Sequence, residues 1–380
     1  MLASRCEPRF VGNVALASVR SRVLIVIGEL VAGGQEQQLC YLLQGLTELG
    51  YHPGLVVWNY RDDDVNARKA RALGVPMWGY QVSQSSSRKL FEFARLTRAI
   101  RPEVVHSYSF YTNIAAFVAA RLVGVPAVGS LRSELPLAQS DTGPVLGRLN
   151  TMLPRALVAN SHAGKKQVQA QWGRFAPPHL VVVSNGLDFS RFRTDPVPAR
   201  IPHGILGIGS LVPVKRWDRA LRLGQELQRR GIACRLEIAG EGPQRAELMS
   251  LAADLGIAET TRLLGHREDV PDLIARSRLL VHTSDSEGSP NAVMEAMASG
   301  RPVVATDAGD VKRLVENGRT GFVVERDDHE ALVSRVCALL SDDRLARQFG
   351  EAAARRAREF SVGRLVEDTL SAYRAAGWRS

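Results

Sequence analysis

The chain has 380 residues, of which 45% are hydrophobic and 23% charged, and its formal net charge is +10. This composition is typical of a soluble globular protein, and the length suits two domains rather than a single core. No apolar run approaches the roughly 20 residues of a membrane-spanning helix. The four cysteines lack the paired spacing of a zinc site or a disulfide framework.

The positive charge is concentrated in the first half of the sequence. Residues 1–180 contain 20 Lys or Arg against 11 Asp or Glu, whereas residues 181–380 contain 29 against 28. We therefore expect a cytoplasmic protein whose first half associates peripherally with an anionic surface, such as the inner face of the cell membrane. A nucleic acid is the alternative partner, but the sequence contains no recognised nucleic-acid motif, so none is expected.

In chain order, residues 1–20 are predicted to form a flexible leader, because their short apolar run is interrupted by Gly12 and Asn13. A first domain is predicted over residues 21–190, where short apolar strands alternate with helical patterns. Its strands are predicted at residues 22–27, 54–58, 104–106, 127–130, 156–159 and 180–183. A helix at residues 35–49 follows the first strand, since leucines recur on one of its faces.

An Arg- and Pro-rich linker is predicted at residues 191–202, followed by a second domain over residues 203–360. The strands of this domain are predicted at residues 204–209, 235–239, 261–264, 279–282, 303–305 and 321–324. A C-terminal helix within residues 361–380 is predicted to return to the first domain. Because doubly wound sheets bind ligands at the carboxyl ends of their strands, the loops after the strands are the candidate site.

The start of a short helix in the second domain is the most informative local feature. Ser289 is a favourable N-cap, and Pro290 suits the first helical position, where a missing N–H costs nothing. The backbone N–H groups that follow, beginning with Asn291 and Ala292, would then point at whatever lies before the helix. Such a helix N-terminus can bind an anion, for example a diphosphate.

Two carboxylates flank this helix start. Glu287 precedes the helix and Glu295 lies within it, eight residues later, so that both can face one ligand. The string from Glu287 to Thr306 resembles the E-x7-E signature of glycosyltransferase family 4, a retaining group with the GT-B fold. The resemblance extends over most of the chain and implies an α/β protein with two Rossmann-like, doubly wound parallel-sheet domains facing a cleft.

The resemblance also implies a function. It implies a retaining, metal-independent transferase that moves a hexosyl group from a nucleotide-diphosphate sugar to a hydroxyl acceptor in cell-surface glycan or glycoconjugate biosynthesis. The donor is a substrate, and neither a cofactor nor a metal ion is expected. The acceptor is a glycan, a lipid-linked molecule or a small molecule.

Carried over residue by residue, the resemblance assigns roles in the second domain. Glu287 would hold the sugar hydroxyls, Glu295 the ribose hydroxyls, and Lys215 would neutralise the departing diphosphate. The family arginine of the Lys215 motif is replaced by Ser210. Arg216 is the candidate to supply the missing charge.

Further positions match the family less closely. Gly33 and Gly34 are similar to a glycine loop beside the donor, although the arginine that often follows is Gln37 here. His106 matches a histidine near the transferred sugar and is a catalytic candidate, with a structural role as the alternative. The resemblance places Gly265 and His266 along the nucleoside.

Arg132 and Tyr108 also follow predicted strands, and we expect them on the acceptor side. Two alternatives to the transferase remain open. One is a nucleotide-sugar epimerase or hydrolase on the same fold, which would consume the donor without an acceptor. The other is a non-catalytic partner subunit in which Ser210 and Gln37 mark lost chemistry.

Overall fold

The strands form two separate sheets, one from each half of the chain. The structure, a computed structural model, describes residues 9–10, 22–31, 33–198 and 203–379. Unit 1 is formed by the chain up to Gly186 and from Val362 onward, and unit 2 extends from Leu187 to Ser361. Each unit has its own hydrophobic core.

Unit 1 alternates strands and helices. Its strands are β1 (Arg9–Phe10), β2 (Val23–Ile27), β3 (Pro53–Tyr60), β4 (Met77–Gln81), β5 (Val104–Ser107), β6 (Ala127–Leu131), β7 (Ala156–Ala159) and β8 (His179–Val182). Its helices are α1 (Gly34–Glu48), α2 (Val65–Ala72), α3 (Ser86–Ile100), α4 (Asn113–Val123), α5 (Leu135–Thr142), α6 (Pro144–Met152) and α7 (His162–Trp172). The strand order is β1-β4-β3-β2-β5-β6-β7-β8, and among the strands that the structure describes in this unit only the β1–β4 pair is antiparallel.

Strand β2 explains why this sheet is covered on both faces. All five of its residues are fully buried, with Ile25 packed in the cluster that includes α1 and Leu24 in the cluster that includes α3 and α4. A continuous apolar run of this kind is typical of a parallel strand between two helical layers. The strand order reverses between β2 and β5, so the carboxyl ends of these two strands flank a topological switch point.

Unit 2 is built in the same way. Its strands are β9 (His203–Ile208), β10 (Cys234–Ala239), β11 (Thr261–Gly265), β12 (Leu279–His282), β13 (Val303–Thr306) and β14 (Gly321–Val324). Its helices are α8 (Trp217–Arg229), α9 (Arg245–Asp254), α10 (Val270–Arg276), α11 (Asn291–Ala298), α12 (Val311–Leu314), α13 (His329–Ser341) and α14 (Asp343–Ala357). The sheet is parallel in the order β11-β10-β9-β12-β13-β14, with its switch point between β9 and β12.

The last helix, α15 (Val362–Ala375), belongs to unit 1. Leu365, Val366 and Leu370 lie in the same buried cluster as the leucines of α1. Gly45 of α1 permits this packing, because a Cβ at that position would lie 2.5 Å from Cγ2 of Val366. The indole of Trp378 donates a hydrogen bond to Glu103 (2.9 Å) and so fixes the end of the chain to unit 1.

Several local predictions differ from the structure. Strand β4 was not predicted, because its sequence Met-Trp-Gly-Tyr-Gln lacks an aliphatic run. Within the predicted flexible leader, Arg9–Phe10 pair with β4, and the other residues of 1–20 lie outside the described residues. In the predicted linker, the Thr194 hydroxyl donates a hydrogen bond to Ala298 O of α11, and Arg301 donates one to Asp195 O. Residues 199–202 of this linker lie outside the described residues. In the parts of the chain that the structure describes, no helix is both long and apolar enough to cross a membrane.

Candidate active site

The loops after β9 and β12 are joined at the switch point of unit 2. Lys215 ends a 3₁₀ turn, Pro213–Lys215, and its carbonyl oxygen accepts a hydrogen bond from the Thr283 hydroxyl (2.9 Å). The N–H of Asp285 donates to the carbonyl oxygen of Val214 (2.9 Å). These bonds hold two loops together that are separated by about 70 residues of sequence.

Lys215 and Glu287 form an ion pair where these loops meet. Lys215 Nζ lies 2.6 Å from Glu287 Oε1, and the two side chains are 22% and 12% exposed. The same oxygen accepts a hydrogen bond from the Ser284 hydroxyl (2.7 Å), and His282 Nε2 lies 3.1 Å away. Burial would raise the pKa of Glu287, but the Lys215 charge and the nearby His282 outweigh it and hold that pKa well below its usual range.

A glycine outside the predicted motifs supports the position of Glu287. Gly309 has a φ of +56°, and a Cβ there would collide with the carbonyl oxygens of Glu287 and Gly288. The N–H of Asp310 donates to the Gly288 carbonyl (3.0 Å), which ties the Glu287 loop to the start of α12. The close approach therefore requires glycine at position 309.

Helix α11 begins one residue later than predicted. Pro290, with ψ of 113°, is the extended N-cap residue, and Asn291 is the first helical residue. The prediction of Ser289 as the N-cap is therefore wrong; its hydroxyl contacts Met294 Sδ at 3.6 Å. The N-terminal end of a helix carries a partial positive charge, so the start of α11, with Asn291 and Ala292, remains the predicted anion site.

Glu295 lies in the second turn of α11 and is partly buried. Burial raises its pKa to about 7, and the charge of Arg191 opposes this effect. The carboxyl group therefore changes protonation near neutral pH, unlike Glu287. Two carboxyl groups eight residues apart thus have opposite electrostatic environments.

Arg216 has partners other than a phosphate. Its guanidinium pairs with both oxygens of Asp218 (2.9 and 3.0 Å) and with Asp285 (3.1 Å), and Arg219 also pairs with Asp285. Its backbone is left-handed, with φ of +50°. These contacts do not favour the hypothesis that Arg216 compensates for Ser210, so its role in donor binding stays a prediction.

The loops after β9, β10 and β11 touch one another through glycines. The N–H of Gly240 donates to Gly265 O (2.8 Å), and a Cβ at Gly240 would collide with Gly209 O. His266 is exposed next to Gly265, whereas Arg267 pairs with Asp269 (2.6 Å). The structure thus brings the predicted nucleoside loop to the same edge of the sheet as Lys215.

His106, the catalytic candidate of unit 1, lies in the core. It is fully buried in unit 1, where Nδ1 lies 2.8 Å from the Tyr373 hydroxyl and Nε2 lies 3.0 Å from the Ser130 hydroxyl. Burial lowers its pKa to about 3, so the ring is neutral at physiological pH. Because both ring nitrogens are engaged within the core, these contacts favour the structural alternative, and the catalytic role of His106 stays a prediction.

Unit 1 contains a cavity of about 820 Å³ beside its own switch point. Residues from the loops after β2, β5 and β6 line it, among them Glu29, Gln35, Glu36, Ser109, Tyr111 and Ser133. The hydroxyl of Ser109 joins two of these loops by accepting hydrogen bonds from Gly28 N (3.0 Å) and Gln35 Nε2 (2.9 Å). These residues were not among the predicted site residues, although their position after strands was the signal that could have identified them.

The other predicted residues of unit 1 border this region. Gly33 is the N-cap of α1, and Gly33 and Gly34 are both exposed at the N-terminus of that helix. Arg132 stacks on Tyr108, with its guanidinium carbon 3.5 Å from the ring centroid. In the described part of the chain, no group of three or more His, Cys, Asp or Glu is arranged to hold a metal ion.

Comparison with known proteins supplies the family. Residues 32–191 match the model of Glycosyltransferase Family 4, and residues 201–356 match that of Glycosyl transferases group 1. The chain belongs to glycosyltransferase family 4. The predicted family is therefore confirmed, and with it a transferase of glycosyl groups.

Individual relatives are similar at moderate identity. The chain is 28% identical to an alpha-D-kanosaminyltransferase of Streptomyces kanamyceticus over 82% of this chain and 89% of the relative. It is 32% identical to a D-inositol 3-phosphate glycosyltransferase of Nocardia farcinica, over 58% of this chain and only 53% of that relative. Among solved structures, Anabaena HepE in complex with UDP-glucose has a TM-score of 0.80 at 20% identity, covering 92% of this chain and 99% of HepE. The two parallel sheets and this similarity confirm the GT-B fold.

Proposed function

We propose that this family 4 member is a retaining, metal-independent glycosyltransferase that moves a hexosyl group from a nucleoside-diphosphate sugar to a hydroxyl acceptor. The observation that carries the proposal is the Lys215–Glu287 pair (2.6 Å) at the switch point of unit 2. Doubly wound sheets bind nucleotides at this position. The complex of HepE with UDP-glucose supports a nucleotide-sugar donor, and UDP sugars are the first to test.

The proposed mechanism depends on charge that is already in place before the donor binds. Lys215 and the N-terminal amides of α11 stabilise the negative charge that grows on the β-phosphate as the glycosidic bond breaks. Glu287 orients Lys215 through Oε1. In the described residues Oε2 of Glu287 carries no hydrogen bond, so it can accept one from a sugar hydroxyl. The leaving phosphate takes the acceptor proton on the same face, which gives retention.

Glu295 and the glycine-rich loops complete the proposed donor site. Glu295 would accept hydrogen bonds from the ribose hydroxyls, and backbone near Gly265 and His266 would contact the base. Because glycines bring three loops into backbone contact, base recognition depends on main-chain atoms more than on side chains. The cavity of unit 1 is the proposed acceptor site.

The first experiment identifies the donor class and the role of Lys215. Thermal unfolding is measured with UDP, GDP, ADP and dTDP sugars, since a ligand at 100 times its Kd stabilises by about 2.7 kcal/mol. Lys215→Met should abolish the stabilisation by the preferred donor. The matched control is Lys312→Met, which removes a lysine 55% exposed that pairs with Asp307 and should leave binding unchanged. Equal donor binding by wild type and Lys215→Met would reject the proposed phosphate contact.

The second experiment tests the reaction itself. With the preferred donor and an acceptor panel, NMR of the product should show the anomeric configuration of the donor, and EDTA should leave the rate unchanged. An inverted product or loss of activity with EDTA would refute retention or metal independence, respectively. Donor consumption without any acceptor would instead favour an epimerase or hydrolase.

Peripheral membrane association is proposed from unit 1. Helix α6 exposes Val145 (67%), Leu146 (53%) and Leu149 (39%), and the first half of the chain is strongly basic. Attraction to anionic lipid adds about 1 kcal/mol per basic residue near the surface. Flotation with anionic vesicles should recover the protein, neutral vesicles should not, and Val145→Ser with Leu149→Ser should weaken recovery. Equal flotation of this double variant would argue against a contribution from α6.

A further inference from the structure

Arg132 is a half-buried arginine whose guanidinium nitrogens are all buried. Nε, Nη1 and Nη2 have no hydrogen-bond partner among the described residues. Its guanidinium lies flat against Tyr108, 3.5 Å from the ring centroid, and the Tyr108 hydroxyl is likewise buried and unpartnered within the described chain. The contact with Tyr108 acts on the charge of Arg132, but a neutral phenol supplies no anionic acceptor for the guanidinium.

Stacking does not satisfy the guanidinium N–H donors. A guanidinium interacts with an aromatic ring through its flat face, whereas its five N–H bonds point outward in the plane. A buried charge without hydrogen-bond partners carries a large desolvation free energy. Buried charges are therefore normally paired with a hydrogen-bond acceptor or an opposite charge. Arg301 shows the usual solution in this molecule: it is fully buried and donates to the carbonyl oxygens of Ile274 (3.0 Å) and Asp195 (2.7 Å).

Glu36 is the acidic side chain that acts on the charge of Arg132, and it supplies only part of a counter-charge near neutral pH. Burial lowers the pKa of Arg132, and the groups that act on its charge are Tyr108, Tyr373 and Glu36. Burial raises the pKa of Tyr108 to about 12 and that of Tyr373 well above its ordinary value, so both are neutral. Burial also raises the pKa of Glu36 to about 7, and no hydrogen bond joins Glu36 to Arg132 in the described residues.

Chain neighbours of this pair line the cavity of unit 1, whereas Arg132 and Tyr108 are not themselves among the lining residues. Ser109 follows Tyr108 by one residue, Ser133 follows Arg132 by one residue, and both line the cavity together with Glu36. A planar guanidinium binds phosphate oxygens in a bidentate manner. We propose that Arg132 and Tyr108 form an anion-binding subsite of unit 1 that receives a phosphate group of a substrate, and the attribution to a substrate rests on the proposed transferase function.

The first arm of the test separates a ligand-binding arginine from a structural one. Arg132→Met keeps the length and apolar contacts of the side chain but removes the unsatisfied donors. The melting temperature without ligand should therefore be unchanged or higher, because a buried charge is replaced by a well-packed apolar group. Arg301→Met should lower the melting temperature, since it leaves carbonyl oxygens unpaired. A loss with Arg132→Met as large as that with Arg301→Met would overturn the proposal.

The second arm measures binding by calorimetry at constant ionic strength, with UDP and glucose 1-phosphate as probes. Arg132→Met should weaken at least one probe by about tenfold or more, as the loss of a charge-assisted hydrogen bond implies. Tyr108→Phe, which keeps the ring, should weaken the same probe to a smaller extent. Arg148→Met, an exposed arginine over Trp172, is the matched control and should bind both probes normally.

The probe that is affected identifies the source of the phosphate. Loss of UDP binding alone assigns the subsite to the donor, and loss of glucose 1-phosphate binding alone assigns it to a phosphorylated acceptor. Normal binding of both probes by Arg132→Met overturns the subsite. Lys215→Met serves as the independent check on the donor site in unit 2: if it binds UDP normally while Arg132→Met does not, the proposed function fails and the subsite stands.

Discussion

Removing Lys215 should destabilise unit 2 through Glu287 rather than through lost lysine contacts. In Lys215→Met the Glu287 carboxylate, 12% exposed, keeps only Ser284 and His282 next to Oε1. Breaking a buried pair by removing one partner costs about 3–5 kcal/mol. Because Lys215 is 22% exposed and water can partly replace it, we expect about 2–3 kcal/mol.

The reverse substitution should cost less. Glu287→Gln leaves Lys215 with a flexible, partly exposed ammonium group that can turn towards water, so we expect about 1 kcal/mol. In the double variant no uncompensated charge remains, and the expected loss is again about 1 kcal/mol. The cycle should therefore give a coupling free energy of about 2–3 kcal/mol, within the range that contacting residues show.

The assay is urea unfolding at pH 7, followed by circular dichroism and tryptophan fluorescence. Lys312→Met is the control, and it should cost less than about 1 kcal/mol because its pair is exposed. Donor binding should be lost in both single variants and should not return in the double variant. Additive losses of stability in the cycle, or a Lys215→Met protein as stable as wild type, would refute this reasoning.

The loss of stability at acidic pH provides a second test of the Lys215–Glu287 ion pair. The pKa of Glu287 is lowered in the folded state from an ordinary value of 4.5. Its contribution to stability is therefore complete above pH 4.5 and is lost as the pH falls below that value. The stability difference between wild type and Glu287→Gln should shrink over this range, and a difference that stays constant would count against the ion pair as its source.

Three further predictions follow from individual residues. The pKa of Glu295 is raised from 4.5 to about 7, so ionisation of this carboxyl group lowers the stability of the folded state as the pH rises through that interval. Thermal unfolding should therefore show that Glu295→Gln is more stable than wild type at pH 8, by at most about 3 kcal/mol. At pH 4 the two proteins should be equally stable. Gly309→Ala should lower stability by about 2 kcal/mol or more and abolish donor binding. The control is Gly256→Ala, at a residue with φ of +69° where a Cβ would meet no described atom within 4 Å; it should cost about 1 kcal/mol and leave donor binding intact. Arg301→Met should cost about 3 kcal/mol in urea unfolding, and a loss below about 1 kcal/mol would contradict the role of its hydrogen bonds to carbonyl groups.

Periodicity and helix-end signals determined much of the architecture. The fully buried run Val23–Ile27 and the buried strand Val303–Thr306 predicted parallel strands, because backbone pairing inside a two-sided sheet requires apolar side chains on both faces. Gly300, two residues after the end of α11, has a φ of +70°, the left-handed conformation that glycine adopts at helix ends. Where these signals were weak, prediction failed: β4 was missed, and the start of α11 was placed one residue early.

The sequence by itself determined two doubly wound units, the family, and Lys215 and Glu287 as separate candidates. Only the tertiary structure brought these two side chains to 2.6 Å, because β9 and β12 are neighbours in the sheet although the residues are 72 positions apart. It also placed His106 between Ser130 and Tyr373, 267 residues away, and stacked Arg132 on Tyr108. Local patterns encode backbone conformation, whereas the partners of a polar side chain depend on which distant segments the fold brings beside it.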